Sequence, residues 1–330
     1  MTRSRLASWM ARDVVPLVLL AAASLSASFV LAQDFPNKPI RIIVPAAPGG
    51  ALDTIARLVA YKAQELRKHQ IFVENRPGAN WIIGMTSVAS APPDGYTLLF
   101  IASSGVTLNP HVFDMTIDPN KELVPVISAT HTDFVLLASP DLPVKSVQEL
   151  IAHLRANPGK LNHASNSATT MLVSELFKIR AEVSYVDINY RGAAPALQDT
   201  IKGQTQFLFV DLGTGSGAIQ AKTLRPLGIT GAVRSVLNPD LPTIAEQGLP
   251  GYAVSSTTLL FTPAKTPVAV VQKLNEIFLE AVNAPDVKAR LANMGQFVVG
   301  NTSQEAISAL RLEHDQFGKV IKERNIKFAQ

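Results

Sequence analysis

Two short loops in the sequence have the composition of an anion-binding site. Residues 45–50, Pro-Ala-Ala-Pro-Gly-Gly, form a tight turn after an apolar run, and residues 165–170, Ser-Asn-Ser-Ala-Thr-Thr, offer hydroxyl and amide groups. A helical pattern follows each loop, so unpaired backbone N–H groups and the positive end of a helix dipole lie beside it. Such loops would bind an anion without Arg or Lys. For the first loop, the alternative is an ordinary turn between a strand and a helix, with glycines that serve only its geometry.

Two aspartates stand beside predicted loops, and each has two possible roles. Asp53 lies in the first turn of the first predicted helix, where a carboxylate suits the dipole and can accept hydrogen bonds from loop amides. Its functional alternative is to meet the ammonium group of an amino-acid ligand. Asp211 ends a strand in the second half of the chain, where it would either touch a ligand or cap the segment 213–217.

Other kinds of chemistry lack the residues they need. The Gly-Thr-Gly-Ser-Gly segment at 213–217 suggests a phosphate loop, but it has the spacing of neither common nucleotide-binding motif. The six histidines include no pair four residues apart and no carboxylate cluster at metal-ligand spacing, so we expect no metal site. Neither a Gly-x-Ser-x-Gly motif nor any cysteine is present, which leaves serine hydrolysis and cysteine chemistry without support. We therefore expect no enzymatic activity and no cofactor.

The apolar pattern predicts the elements that position the loops. Residues 40–44 are a β-branched run without polar alternation, which is typical of a strand covered on both faces. Apolar residues from Leu52 to Leu66 then follow one helical face. The next predicted elements are a strand at 71–73, a helix near 82–90 and a strand at 96–102. This order predicts a parallel sheet, so the loops at 45–51, 76–81 and 102–105 should share one edge of it.

A second α/β unit follows the first. Its predicted strands lie near 161–164, 185–188, 206–211 and 224–229, and its helices near 171–180, 194–202 and 216–222. Two C-terminal helices should return over the first unit, and the apolar face of the last one is predicted as Ile307, Leu310, Phe317 and Ile321. We predict an α/β fold of two lobes around a cleft, each a mostly parallel sheet flanked by helices. The predicted boundaries are 33–133 plus 259–330 for lobe 1, 139–252 for lobe 2, and 134–138 and 253–258 for two hinge crossovers.

Residues 1–32 have the pattern of a secretory signal peptide. Arginines at 3, 5 and 12 precede an apolar segment of small residues, and Val30 and Ala32 place small side chains before Gln33. The alternative is a membrane anchor, which the many Ala and Ser residues disfavour. We expect cleavage near Ala32-Gln33 and a periplasmic protein. The net charge of +4 includes +2 from the first 13 residues, and no basic run follows, so nucleic acid is not an expected partner.

Several segments together resemble a known family. They include VPAAPGGALD at 44–53, ENRPGA at 74–79, PDGYTLL at 93–99, YRGAAPA at 190–196 and LPTIAE at 241–246. In this order they resemble the periplasmic solute-binding proteins of the tripartite tricarboxylate transporters, the Bug or TctC family. The resemblance implies a "Venus flytrap" that captures a small organic carboxylate and delivers it to an integral-membrane permease. It also implies that backbone amides and hydroxyls of the loops at 46–52 and 165–170 hold the carboxylate, with Ser103 and Ser104 as further candidates.

The chain departs from the family pattern at a few positions. Asn80-Trp81 replaces a usual Gly-Gly pair, the loop at 166–169 lacks its usual glycines, a usual His near Leu172 is missing, and Thr257 replaces a common Trp. Trp81 could line the cleft or pack between the lobes. The complete set of predicted ligand-binding residues is Ala46, Ala47, Gly49, Gly50, Ala51, Asp53, Trp81, Ser103, Ser104, Ser165, Asn166, Ser167, Thr169, Thr170 and Asp211.

Two other functions fit the sequence less closely. A periplasmic sensor would bind the same carboxylate but present it to a sensor kinase, and the sequence does not separate this role from transport. A nucleotide-binding α/β enzyme is disfavoured by the export signal and the poor glycine spacing. The resemblance does not identify the ligand, and a monomer is expected because binding proteins of this kind are usually monomers.

Overall fold

A computed structural model describes residues 35–324 of the chain. The predicted signal peptide, residues 1–32, lies outside the described residues. The first lobe begins with a parallel strand–helix unit, in which β1 lies between β2 and β3. Its elements are β1 (Ile40–Val44), α1 (Ala51–Arg67), β2 (Ile71–Asn75), α2 (Ile82–Ala89) and β3 (Thr97–Ala102). Three short helices follow, namely α3 (Ser104–Thr107), α4 (Asn109–Val112) and α5 (Pro119–Glu122).

One long strand, β4 (Leu123–Ala138), belongs to both sheets of the molecule. Its residues 123–133 pair antiparallel with β9 (Ser255–Pro263), which also pairs antiparallel with β3. Its residues 134–138 pair antiparallel with β7 (Phe207–Asp211) and β8 (Arg225–Ile229). The strand therefore passes from the first sheet to the second between Asp133 and Phe134.

The second lobe repeats the strand–helix order. It contains α6 (Val147–Ala156), β5 (Asn162–Ser165), α7 (Ala168–Ala181), β6 (Val186–Asn189), α8 (Ala193–Ile201), β7, α9 (Leu212–Gln220) and β8. Strand β5 pairs parallel with both β6 and β7. The chain then returns to the first lobe through β9, α10 (Val268–Asn283), α11 (Pro285–Asn293), β10 (Phe297–Val298) and α12 (Ser303–Arg324).

The predicted two-lobed α/β fold is confirmed, and its sheets are more mixed than predicted. The outer three strands of each lobe, β2-β1-β3 and β7-β5-β6, are parallel. The inner strands β4, β8, β9 and β10 pair antiparallel. The difference arises because β4 and β9 run between the lobes in opposite directions, so each meets its neighbours antiparallel.

Alternate side chains of each strand point to opposite faces of the sheet, so each lobe has one hydrophobic core on either face of its sheet. In the first lobe, Ile42 and Phe100 join the core beneath α1 and α10, whereas Ile43 and Ile101 join the core on the opposite face. In the second lobe, Leu136 and Val135 likewise enter cores on opposite faces of the sheet. Burial of both faces explains why these strands are continuous apolar runs.

Helix α12 connects the lobes in addition to β4 and β9. Its buried face consists of Ala306, Leu310, Phe317 and Val320, whereas the predicted Ile307 and Ile321 are only partly buried. Leu310 packs into the first-lobe core, but Phe317 and Val320 form one cluster with Leu108 of the first lobe and Leu172 of α7. We call these four residues the interlobe cluster. The last helix therefore covers the first lobe and also contacts the second.

Candidate functional site

The first loop leaves the N-terminus of α1 open. Gly50 is the N-cap residue, its backbone is extended (φ −74°, ψ 170°), and no side chain accepts a hydrogen bond at this cap. Residues 47–50 are exposed, and nothing lies within 4 Å of the position that a Cβ on Gly49 would take. Because the first N–H groups of a helix have no partner within it, this end of α1 offers free donors to solvent or to an anion.

Asp53 fixes the first loop from within. Its Oδ2 accepts hydrogen bonds from the Gly49 backbone N–H (2.8 Å) and from Arg57 Nε (3.0 Å), and its Oδ1 accepts one from Asn75 Nδ2 (2.9 Å). Burial disfavours its charge, but these hydrogen bonds together hold the pKa of Asp53 below its usual value. Asn75 Nδ2 also donates to the Ala46 carbonyl (3.0 Å). These contacts are those of a loop-fixing residue, and sequence reasoning missed the partners Arg57 and Asn75.

The loop after β2 has an unusual backbone. Ala79, Asn80 and Trp81 have φ values of 45°, 48° and 75°, in the left-handed region that glycine adopts most easily. Glycines at positions 80 and 81, which the family resemblance leads us to expect, would adopt this conformation at the lowest cost. Three consecutive non-glycine residues there carry a backbone cost of order 1 kcal/mol each. Strain of this kind is often retained at binding sites.

Trp81 packs against its own lobe. It is partly buried beside the first-lobe core, and a Cβ on Gly105 would lie 3.1 Å from Trp81 Cε3. Asn109 Nδ2 donates to the Asn80 carbonyl (2.8 Å), so the loop after β2 is joined to the segment after β3. Of the two predicted roles of Trp81, packing between the lobes is replaced by packing within the first lobe.

The residues that follow β3 contact an acidic side chain of α12, which the sequence analysis did not identify. Ser103 and Ser104 are buried, and Ser103 Oγ donates to Glu313 Oε1 of α12 (2.9 Å). Thr107 Oγ1 lies 3.1 Å from the same Glu313 oxygen. Burial raises the pKa of Glu313 to about 7, although the two hydroxyls favour its charged form. Glu313 stands 210 positions from Ser103, and only its charge within an apolar helical face could have drawn attention to it.

The second-lobe loop is held by its own hydroxyls. Ser167 caps α7 by accepting from the Thr170 backbone N–H (3.2 Å), and Thr170 Oγ1 accepts from the Ser167 backbone N–H (3.0 Å). Ser165 and Thr170 are buried, Thr169 is partly buried and Ser167 is exposed. Asn166 Oδ1 accepts from Thr170 Oγ1 (3.2 Å), but the buried Asn166 Nδ2 has no partner within residues 35–324. A buried amide donor without an acceptor is costly, so this atom is suited to a ligand oxygen.

A buried ionic network supports this loop from below. His163 Nδ1 donates to Asp187 Oδ1 (2.7 Å), and His163 Nε2 accepts from the Phe209 backbone N–H (3.1 Å). The imidazole is therefore neutral, in agreement with burial, which lowers its pKa. Lys178 Nζ pairs with Asp187 Oδ2, and Ser174 Oγ donates to Asp187 Oδ1 (2.8 Å). Since Ser165 follows His163 by two positions, the network anchors the strand that presents the loop.

Asp211 and the glycines after it form a capped helix. Asp211 Oδ1 accepts from the backbone N–H (3.0 Å) and the Oγ1 hydroxyl (2.7 Å) of Thr214, and α9 begins at Leu212. The predicted helix start near residue 216 is therefore wrong, because the Asp211 cap makes 213–217 helical. Gly213 lies so close to Gly295 of the first lobe that a Cβ on Gly295 would be 2.6 Å from the Gly213 backbone nitrogen. The glycines allow close approach of the two lobes.

The predicted residues thus lie in the loops and first helical turns that follow strands, but only some of them are brought together across the lobes. The interlobe cluster joins the segment after Ser103 and Ser104 to the first turns of α7, which follow Ser165–Thr170 directly. The loop at 46–51 stays largely exposed on its own lobe. A cavity of about 960 Å³ lies elsewhere, between α5, α12 and the start of β4, and it is lined by none of the predicted residues. In the described part of the chain, no three His, Asp or Glu side chains cluster as a metal site would require.

Comparison with known protein families and relatives gives a consistent result. The family model "Tripartite tricarboxylate transporter family receptor" (TctC) matches residues 55–326. A UPF0065 protein encoded in the tcbD-tcbE intergenic region of Pseudomonas sp. (strain P51) is 34% identical over 323 residues, which cover 97% of this chain and 96% of that protein. Protein BugT of Bordetella pertussis is 31% identical over 317 residues, with coverages of 94% and 96%.

Solved structures agree with these sequence matches. Rpa4515 of R. palustris, solved with adipate, has a TM-score of 0.77 and 30% identity, and the match covers 89% of this chain and 99% of that one. MatC (Rpa3494) of Rhodopseudomonas palustris, solved with bound malate, has a TM-score of 0.72 and 28% identity, with coverages of 87% and 100%. Within residues 35–324, no helix combines the length and the apolar character that crossing a bilayer requires.

Proposed function

Because the chain belongs to the tripartite tricarboxylate transporter receptor family, also known as the Bug or TctC family, we propose that it captures a small organic carboxylate between its lobes and delivers it to a membrane permease. The family consists of periplasmic solute-binding proteins and not of enzymes. Two of the structural neighbours were solved with the carboxylates adipate and malate. Chemically related ligands are the natural candidates for this chain.

The open N-terminus of α1 is the main structural observation that supports this proposal. The Gly50 cap contributes no side-chain acceptor, and the exposed loop before it is held in place by Asp53. A carboxylate at this position would accept hydrogen bonds from the first backbone N–H groups of α1 and would meet the positive end of the helix dipole. The unpaired Asn166 Nδ2 of the facing lobe would supply a further donor.

The proposed binding site consists of three loops on the first lobe and two strand ends on the second. Its residues are Ala46, Ala47, Gly49, Gly50, Ala51, Trp81, Ser103 and Ser104 on the first lobe, and Ser165, Asn166, Ser167, Thr169 and Thr170 on the second. Asp53 and Asp211 belong to it as the residues that hold loop and helix ends in place. We propose that the lobes, with predicted bounds of 33–133 plus 259–330 and of 139–252, move about the crossovers predicted at 134–138 and 253–258. The first crossover would bend where β4 changes sheets, between Asp133 and Phe134.

Export to the periplasm is part of the same proposal. It is supported by the signal-like pattern of residues 1–32 and by structural neighbours that are described as periplasmic proteins. In this compartment the protein would bind its ligand outside the cytoplasmic membrane and would then contact a permease that is embedded in that membrane.

A substitution at Gly50 tests the anion loop. We expect Gly50→Asp to abolish carboxylate binding, because it places a negative charge at the helix N-terminus where the ligand charge would lie. The new side chain has room, since the nearest atom to a Cβ there is the Ala47 carbonyl oxygen at 3.7 Å. Gly217→Asp is the matched control, because a Cβ at the exposed Gly217 has nothing within 4 Å.

The measurement is a thermal-shift screen of residues 33–330 with adipate, malate, citrate, benzoate and their neutral amides. A ligand at 100 times its Kd adds about 2.7 kcal/mol of stability, which is a shift of several degrees. The wild type and Gly217→Asp should respond to at least one carboxylate, and Gly50→Asp should not. An equal response of Gly50→Asp would place the carboxylate elsewhere, and a response to the amides alone would contradict the anion site.

A further inference from the structure

Glu313 is an acidic residue on the otherwise apolar inner face of α12. It follows Leu310 by three positions and precedes Phe317 by four, so all three side chains point to the same side of the helix. Leu310 contacts the first-lobe core and Phe317 contacts the interlobe cluster. Glu313 therefore lies at the boundary between the two lobes, beside the C-terminal end of β3.

Both hydrogen bonds of Glu313 involve the same carboxylate oxygen, Oε1. Ser103 Oγ (2.9 Å) and Thr107 Oγ1 (3.1 Å) both approach Oε1. Within residues 35–324, no group donates to Oε2, and the side chain is only partly buried. A carboxylate that is desolvated on one side and unpaired on the other has free acceptor capacity at its second oxygen.

In the described part of the chain, Glu313 has hydroxyl partners but no ion pair with a cationic side chain. Helix α7 contributes the apolar residues Ala168, Leu172, Leu176 and Ile179 to the adjacent cluster, and α3 contributes hydroxyls. Two histidines lie on this side of the helix: His314, which follows Glu313 directly and whose Nδ1 donates to the Thr107 carbonyl (3.2 Å), and His111 of α4, which stacks on His314 with ring centroids 4.2 Å apart. Burial and, after it, the neighbouring His314 lower the pKa of His111, which disfavours a positive charge on that imidazole.

From this geometry we propose that Glu313 is a specificity-determining residue of the interlobe site, which makes capture of a carboxylate depend on the uptake of one proton. The inference rests on the proposed function, because it requires that a carboxylate binds between the lobes. Ionised Glu313 would repel a ligand carboxylate that approaches its unpaired oxygen. Protonated Glu313 would instead donate its O–H at Oε2 to that ligand, and Ser103 and Thr107 would keep their bonds to Oε1.

The proton balance of this step is simple. One proton leaves the solvent buffer and adds to Oε2 of Glu313, no covalent bond of the ligand changes, and the proton returns to the solvent when the ligand leaves. A ligand that carries a hydroxyl or ammonium donor at the same position would bind the ionised form directly. Glu313 would therefore discriminate between ligands according to the chemical group that they place beside α12.

The expected magnitude follows from the raised pKa of Glu313, about 7. If only the protonated form binds, the apparent Kd of a dicarboxylate is about tenfold higher at pH 8 than at pH 6. In Glu313→Gln the side-chain amide donates at every pH, so the Kd should remain close to the wild-type value at pH 6. The matched control is Glu323→Gln, because Glu323 is exposed on the same helix and pairs only loosely with Lys319 (3.9 Å).

Isothermal titration calorimetry with adipate and malate, at pH 6 and pH 8, tests the inference. Titrations at pH 8 in phosphate and in Tris report the number of protons that are taken up. We expect close to one proton per ligand for the wild type and Glu323→Gln, and none for Glu313→Gln. A Kd that changes with pH in the same way in Glu313→Gln and wild type, or wild-type binding without proton uptake, would overturn the inference and leave the proposed function intact. If neither these ligands nor any other carboxylate binds at either pH, the proposed function itself fails.

Discussion

Replacing Asp187 with Asn should lower the free energy of unfolding at neutral pH and make that free energy less dependent on pH. Asp187 accepts hydrogen bonds from His163 Nδ1 (2.7 Å) and Ser174 Oγ (2.8 Å), and it forms an ion pair with Lys178. Burial opposes ionisation of this carboxyl, yet these partners together lower its pKa from 3.8 to about 2. The folded state therefore binds a proton less readily than the unfolded chain.

The size of the effect follows from this pKa. A carboxyl whose pKa falls from 3.8 to about 2 on folding contributes about 2.4 kcal/mol of stability at pH 7. The sign is that of a depressed acid, so the contribution is complete above pH 5 and is lost as the pH falls towards 2. At pH 3 about half of it, roughly 1.3 kcal/mol, should remain. Asn cannot supply the charge, so Asp187→Asn should lose at least this amount at pH 7.

Urea unfolding followed by circular dichroism at pH 7, 5, 4 and 3 measures this difference directly. Asp240→Asn is the control, because Asp240 is an exposed aspartate of the same lobe. We expect the loss of stability in Asp187→Asn to be smaller at pH 3 than at pH 5 by about 1.1 kcal/mol, and the effect of the control substitution to stay within about 0.5 kcal/mol of zero. A loss for Asp187→Asn that is constant across this pH range would refute the electrostatic argument and would indicate that lost hydrogen-bond acceptors, and not the charge, account for the loss.

Two further predictions concern contacts between the lobes. Phe317→Ala in the interlobe cluster should lower the free energy of unfolding by about 3–5 kcal/mol. The control Leu312→Ala, on the exposed face of the same helix, should lower it by less than about 1 kcal/mol. Similar losses for both variants in urea unfolding would contradict the assignment of the buried helix face. Gly213→Ala should also destabilise, because its Cβ would clash with the Met294 carbonyl oxygen, whereas Gly217→Ala should stabilise by roughly 0.5–1 kcal/mol as an exposed helical glycine. A stabilised Gly213→Ala in the same assay would show that this contact between the lobes is not tight.

Features that depend on local chain chemistry could be predicted from the sequence. The strand, turn and helix around Gly49 and Gly50 follow from a β-branched run, two glycines and one apolar helical face, all within 27 residues from Ile40 to Leu66. The position of Asp53 at a helix start likewise suggested its hydrogen bond to the loop. Such signals need no knowledge of distant partners.

Features that depend on distant partners could not be predicted in this way. Residues 123–133 contain Pro125, His131 and Asp133 and lack a clear apolar period, and they form a strand because β9 pairs with them. The glycines at 213 and 215 indicated a loop, although a capped helix that packs near Gly295 can also use them. Glu313 interrupts the apolar face of α12, and its partners are distant in the chain: Ser103 directly follows β3, and Thr107 lies in α3.

The insertion of β9 between β3 and β4 has a consequence for the order of folding. The hydroxyls of Thr130 and Thr258 lie 2.7 Å apart although the residues are 128 positions apart, so this part of the first sheet closes a very long loop. The strands β4, β5, β6 and β7 are adjacent in the chain and can pair before β9 is available. Once the second lobe has formed, it holds the ends of β4 and β9 near each other and shortens the effective loop. The second lobe would thus act as an internal template on which the first lobe completes its sheet.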